Sequence, residues 1–281
     1  MRYSYIDSDT HLRDLRGVFS KNNTETVCMD FECEFNLHCY GERLCLIQVF
    51  DGQEYYVIDP FSVSKSELKK TLESDVVKLF YSAGSDRKLV FSQYGIRINA
   101  LFDIADLVDV IDLRKKGLNS VIEEMLSIRI KKKKKYQKYN WTRRPIAEDA
   151  IQYALSDVRY LFDLKDALLK RIRENDLMDT LACRLDKPEF DYEKRNAPGV
   201  KKKSRYKKYN QQKKKIFDVI FRIRERYAKE IDKPPNTVFA NEQLFQLVEK
   251  NREIEDICFG KPVPTEVRKR IINELSDMHR M

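Results

Sequence analysis

Asp30 and Glu32 stand two apart in the run Met29-Asp30-Phe31-Glu32-Cys33. In an extended strand alternate side chains share a face, so both carboxylates point one way, roughly 7 Å apart, while Met29, Phe31 and Cys33 point the other. Ionised acids held this close repel. Desolvation sharpens the repulsion unless a cation neutralises them or one takes up a proton. Oxygen donors of this kind suit Mg²⁺ or Mn²⁺, although a pair on an edge strand facing water would need neither. Asp86 directly follows Tyr81-Ser82-Ala83-Gly84-Ser85, where a buried strand is predicted to give way to a helix. Open α/β sheets carry functional groups at such places, and an acid there also suits the helix macrodipole. Tyr153 and Asp157, four apart, share a helix face beside the apolar stripe Ile151, Ala154, Leu155, Val158, Leu161 and Phe162, a spacing that a surface pair would share.

These residues need elements to hold them. Residues 27–35, 44–50 and 55–58 read as β-branched and aromatic strands, and Asp51-Gly52 between the last two is a hairpin signal, so an antiparallel meander opens the domain. A helix over 64–72, a buried strand over 76–81, a helix over 86–94 ended by Gly95 and a strand over 96–102 follow. Helices then dominate, at 104–113, 118–126 and as one long helix over 145–173 with Pro145 at its start and Glu148 and Asp149 in the first turn. Strands first and helices after imply an α/β sheet covered by helices. From 187 to 215 the composition turns polar, with Pro188, Asn196, Pro198 and Gly199 among lysines, which predicts a linker. Beyond it Ile216, Val219, Ile220, Ile223 and Tyr227 fall at helical spacing, Pro234-Pro235 ends that helix, and apolar groups follow at 244–248 and 267–275, giving a small helical domain.

The net charge of +9 over 281 residues is clustered. No acid occurs from Arg129 to Arg144 or from Lys194 to Lys215, and such clustering favours a polyanionic partner such as nucleic acid. Lys131, Lys132, Lys133, Lys134 and Lys135, followed by Tyr136, Lys138, Tyr139, Trp141 and Arg144, place aromatics among cations in a loop entering the Tyr153 helix. Phosphate contact and stacking are the functional reading there, and a solvated lysine loop is the other. The second cluster, 201–215, is read as linker or binding segment. No stretch resembles a secretory signal or could span a bilayer, so the expected location is cytoplasmic. Cys28, Cys33, Cys39, Cys45, Cys183 and Cys258 lack paired C-x-x-C spacing and read as reduced packing residues rather than zinc ligands.

Taken together, the segments "MDFECEF", "LCLIQVFDG" with "YVIDP", "YSAGSD" with Leu89-Val90, "FD" at Asp103, "WTRRPI" at Trp141 and "YALSDVRYL" from Tyr153 resemble ribonuclease D and related DEDDy exonucleases. The resemblance runs over nearly the whole chain. "RERYAKEIDKPPNTVFANEQLFQLV" from Arg224 is similar to the HRDC domain that ribonuclease D shares with RecQ-type helicases. The resemblance implies a ribonuclease-H-like exonuclease domain, a mixed sheet flanked by helices, over 1–186, a basic linker over 187–212 and a small all-α HRDC-like domain over 213–281. It implies that Asp30, Glu32, Asp86 and Asp157 hold two divalent ions, Mg²⁺ or Mn²⁺, with Tyr153 positioning the attacking water, and that a monomer releases mononucleotides from RNA 3′ ends, tRNA precursors among them. A DNA exonuclease with the same site and an inactive RNA-binding module are the alternatives. Four departures stand out. Glu34 adds a third acid on the Asp30 face, expected to lie toward solvent or substrate. Tyr81 or Ser82 stands where the family carries a histidine. A one-residue slip would put Arg87 in place of Asp86. One HRDC-like domain is present where two are common.

Overall fold

The alternating run around Asp30 forms the longest strand of a six-stranded mixed sheet. The structure, a computed structural model, describes residues 1–130, 134–193 and 197–280, with Lys134, His279 and Arg280 described by their backbone alone. The chain divides into two compact units, residues 1–33 with 43–192, and residues 34–42 with 193–281.

In chain order the first part of the molecule runs β1 (Tyr3–Ile6), α1 (Asp9–Lys21), β2 (Thr26–Phe35), β3 (Glu42–Phe50), β4 (Tyr55–Ile58), α2 (Lys65–Leu72), β5 (Val77–Phe80), α3 (Gly84–Tyr94), β6 (Leu101–Asp103), α4 (Ala105–Ile111), α5 (Leu118–Leu126), α6 (Glu148–Val158), α7 (Leu161–Glu174) and α8 (Met178–Leu185). The strand order is β1-β4-β3-β2-β5-β6, with β3 and β4 antiparallel and the β1/β4, β2/β5 and β5/β6 pairs parallel. One face buries Val27, Met29, Phe31, Ile47 and Val49 against Leu12, Leu15 and Phe19 of α1 and Leu68 and Leu72 of α2. The other buries Cys28 and Leu79 against α4, α5 and α7, and Leu46 and Val57 against Ala150, Ile151, Ala154 and Leu155 of α6. The central strands are therefore apolar on both faces, as crossover helices on each side require.

Several expectations are met closely. Ser64 caps α2 through Glu67 N, and Gly95 ends α3 at φ +64°, the left-handed conformation that glycine takes without strain. Others are corrected. A first strand at 27 misses β1 and α1, the latter capped by Ser8. The strand expected over 96–102 is formed only at Leu101–Asp103, although Ile96 and Ile98 are buried. The single helix over 145–173 is two, parted at Arg159-Tyr160, with Ala147 rather than Pro145 at the entry. Val158 and Leu161 are both buried across that break, so the apolar stripe runs on and hides it from the sequence.

The second unit holds α9 (Ser204–Lys207), α10 (Gln211–Glu230), α11 (Pro235–Val238), α12 (Asn241–Val248) and α13 (Thr265–Arg280) around a core of Phe217, Ile220, Leu244, Phe245 and Ile271. The stretch expected as an open linker packs over much of its described length. Phe190 and Tyr192 pack beside Arg87, while Val200 and Tyr209 join the second core. Arg205 pairs with Glu242 and Glu249 there. Lysine-rich composition masked the few apolar anchors. Among the described residues no helix is long and apolar enough to cross a membrane.

Candidate active site

Side-chain alternation in β2 assigns the two acids to one face. Val27, Met29 and Phe31 lie in the core with α1, Cys28 in the core with α7, and so Asp30 and Glu32 share the Cys28 face, both half-buried. α6 covers that face of the neighbouring strand β3 through Leu46. Asp157 near its end is buried, and the next residue, Val158, packs in the cluster that contains Cys28. Tyr153, one turn earlier, is half-buried with its ring 4.9 Å from that of Tyr136.

Asp86 lies in the first turn of α3. Burial pushes its carboxyl up to about 6; a backbone N–H opposes this and the charge of Asp103 adds to it. The half-buried Cys33 thiol is raised foremost by burial and then by the charge of Asp86, with Glu32 and Asp30 adding to it. Among the described residues, no three His, Cys, Asp or Glu side chains are grouped closely enough to hold a metal ion.

The approach to α6 corrects the expected nucleic-acid contacts. Arg144 makes a two-pronged pair with Asp59, Nε to Oδ2 at 2.6 Å and Nη2 to Oδ1 at 2.7 Å, and donates to the carbonyls of Cys45 and Trp141. Trp141 is 4% exposed and packs edge-on against Tyr139. Trp141 works inside the protein, where its indole fills the core of the loop, while Arg144, a quarter exposed, spends its donors on Asp59 and on carbonyls of the loop. Lys135 is exposed, paired with Asp149 at 2.8 Å and set over the Tyr136 ring. Lys131, Lys132 and Lys133 lie outside the described residues, as does the side chain of Lys134.

Glu34 is also corrected. It is 2% exposed and accepts from the backbone N–H groups of Leu37 and His38, with the His38 ring 3.0 Å away. The acid closes its own turn rather than facing solvent or substrate. Arg87 lies over the Phe190 ring at 4.0 Å and donates to the Tyr192 hydroxyl, so it occupies a cation–aromatic site. Tyr81 donates to the Lys116 carbonyl, and burial pushes its pKa up to about 12.

Two polar residues were given no role by sequence reasoning. Gln48 is fully buried on the β3 face opposite Ile47 and Val49, and neither of its amide atoms has a hydrogen-bond partner among the described residues. An amide inside the otherwise apolar run Leu46-Ile47-Gln48-Val49 was the available signal. The other is Asp103, which accepts from Ser82 N at 2.7 Å, Ala83 N at 2.9 Å and Ala105 N at 3.0 Å. Its signal was an acid closing a predicted strand.

The 3′-5′ exonuclease family model matches residues 3–173. Exosome complex component 10 of Rattus norvegicus is 26% identical over 270 residues, 88% of this chain and 30% of that protein. Ribonuclease D of Zymomonas mobilis is 29% identical over 140 residues, 48% of this chain and 35% of that protein. The chain thus spans about a third of the length of these curated relatives. Among solved structures, the catalytic core of RRP6 from Trypanosoma brucei has a TM-score of 0.77 at 20% identity, covering 99% of this chain and 79% of that one. Escherichia coli RNase D has a TM-score of 0.70 at 20% identity, covering 100% and 76%. At these identities the structures speak for the fold alone.

Proposed function

The chain belongs to the 3′-5′ exonuclease family, within which its sequence relatives include ribonuclease D, and from that membership we propose that it removes mononucleotides one at a time from RNA 3′ ends. Asp30, Glu32, Asp86 and Asp157 are the proposed metal-holding acids and Tyr153 orients the attacking water. The observation that carries this reading is the family match over residues 3–173, which contains all five residues; Asp30 and Glu32 are half-buried on one face of β2, and Asp157 is buried in the helix that covers that face of the neighbouring strand.

The carboxylate oxygens of these four residues are the donor type that Mg²⁺ or Mn²⁺ takes. Asp86, pushed up to about 6 by burial, is a carboxylate whose ionised form lacks solvent, and a hard divalent cation offsets that penalty as a proton would. Two such ions, when bound, stabilise the incoming hydroxide and the departing 3′ oxygen. The four acids, supplied by β2, α3 and α6, would hold those ions beside the reacting phosphate, which carboxylates alone would repel. Tyr153, braced by the Tyr136 ring, presents its hydroxyl to the water. Lys131–Lys135 and the cluster 201–215 are the proposed phosphate contacts. RNA as substrate is supported by the printed name of the ribonuclease D relative; tRNA precursors as substrates and a cytoplasmic location belong to the same proposal. We assign 1–186 to the exonuclease domain and 213–281 to an HRDC-like domain, supported by a helical core that Val200 and Tyr209 of the basic stretch 187–212 join.

The test supplies matched RNA and DNA strands with free and blocked 3′ ends, with and without Mg²⁺ or Mn²⁺. Mononucleotide release from free RNA 3′ ends only, and only with the ion, is expected. Preference for DNA would move the substrate, internal cleavage would remove the exonuclease reading, and ion-dependent binding without turnover would leave an inactive RNA-binding module. Tyr153→Phe is expected to lower kcat by about 100-fold at little change in KM, measured on the preferred strand; an unchanged kcat would remove Tyr153 from water positioning.

A further inference from the structure

α3 begins without a capping side chain at its N-cap: Ala83 stands there and makes no side-chain cap. The order of that entrance has to come from elsewhere. It comes from the end of β6. Asp103 Oδ1 accepts from Ser82 N at 2.7 Å and Ala105 N at 3.0 Å, and Oδ2 accepts from Ala83 N at 2.9 Å. The bond to Ala105 is an ordinary local turn at the start of α4. The other two leave β6 for the β5–α3 turn, about twenty residues earlier in the chain.

That turn is strained. Ser82 has φ +64°, the left-handed region that a residue with a Cβ keeps only when its surroundings hold it. One carboxylate therefore grips the strained residue and its successor together, and Asp86 follows on the first turn of the helix so fixed. We propose that Asp103 is a positioning residue for the candidate site: it holds the β5–α3 turn in the conformation that presents Asp86, without itself touching ion or substrate. This rests on the reading of Asp86 as a metal-holding acid.

Asp103→Asn tests it, because the amide replaces one acceptor oxygen by a donor and cannot serve both sides of the clamp. The measurements on the full chain are Mn²⁺ binding, read from the electron paramagnetic resonance signal of free Mn²⁺, amide exchange at Ser82 and Ala83, and melting temperature. Exchange at the two amides is expected to quicken and Mn²⁺ affinity to fall by about tenfold, the lower range for lost supporting contacts of metal ligands, while melting stays cooperative. The kcat for 3′-end release should fall with KM for the strand changed by less than about twofold, since ground-state strand contacts are untouched. Ser82→Gly, added to Asp103→Asn, should recover part of the Mn²⁺ affinity because glycine takes φ +64° without the clamp; a merely structural loss would not be rescued this way. If Asp103→Asn alone does not fold, Ser82→Gly and the S82G/D103N variant are compared in its place. Wild-type Mn²⁺ affinity with quickened exchange at Ser82 and Ala83 would overturn the proposal. Asp86→Asn separates the two layers: if it binds Mn²⁺ as the wild type does, the metal reading fails and takes the clamp with it. If it loses Mn²⁺ while Asp103→Asn does not, the clamp alone fails.

Discussion

Two helices, α3 and α6, bring acids to the candidate site, and their entrances are secured by different chemistry. At α3 a carboxylate from β6 accepts two backbone N–H groups of the preceding turn. At α6 a guanidinium pairs with Asp59, 85 residues away in sequence, and donates to three backbone carbonyls. The first device fixes a strained turn through hydrogen bonds to neutral donors. The second ties a long loop to β3 and to the end of β4 through charge. The difference teaches that an acid can be presented by shaping the few residues before it or by anchoring the whole approach, and the two should fail differently.

The largest expected effect is at the α6 entrance. Arg144→Ala leaves Asp59, 4% exposed, without its cation, and breaking a buried pair costs about 3–5 kcal/mol, with less expected here because Arg144 is a quarter exposed. Urea unfolding measures it, and the D59N/R144A double variant should lie close to the worse single variant, since both remove one interaction. Additive losses would mean that the two residues act separately, and the contrast with α3 would dissolve.

Acid sharpens the contrast. Burial works to raise Asp59, but the bonds from Arg144 and Phe61 N prevail and hold it below the ordinary range. Its contribution is therefore complete above the unfolded value near 4 and is lost as pH falls through the lower folded value. The stability gap between wild type and Asp59→Asn should stay flat from about pH 7 to 5 and close below about 4. Asp86 has the opposite sign. Raised to about 6, it contributes fully below the ordinary carboxylate range and loses that contribution as pH rises through about 6. Metal-free wild type should thus gain stability relative to Asp86→Asn between about pH 7 and 5. Parallel behaviour of the two sites in acid melts would contradict this assignment.

The smallest effect is at Lys135. Its pair with Asp149 is exposed and adds little to stability, so Lys135→Ala should barely move melting. If the side chain also meets a phosphate, the slope of log affinity for single-stranded RNA against log salt should flatten by about 0.7. An unchanged slope would confine Lys135 to the approach to α6.

The elements that carry the acids were legible because their patterns are strong. Alternation around Asp30, the helical stripe around Asp157 and the stop at Gly95 each follow from one period or one backbone preference. The supports were less so. Arg144 and Trp141 looked like ligand contacts since cations and aromatics interleave in both roles, and only burial separates them. Asp103 and Glu34 bind backbone N–H groups, partners that leave no mark on the sequence. The helix break at Arg159-Tyr160 was invisible for a related reason, as tertiary packing of Val158 and Leu161 preserves the apolar period across it.

The most direct test of the central claim replaces Asp30 or Asp157 by Asn in the full chain and measures mononucleotide release from an RNA 3′ end with Mg²⁺ or Mn²⁺, alongside melting and RNA binding. The account predicts that either change lowers release by about 100-fold or more while melting and binding stay near wild type. Wild-type release from either variant would contradict it.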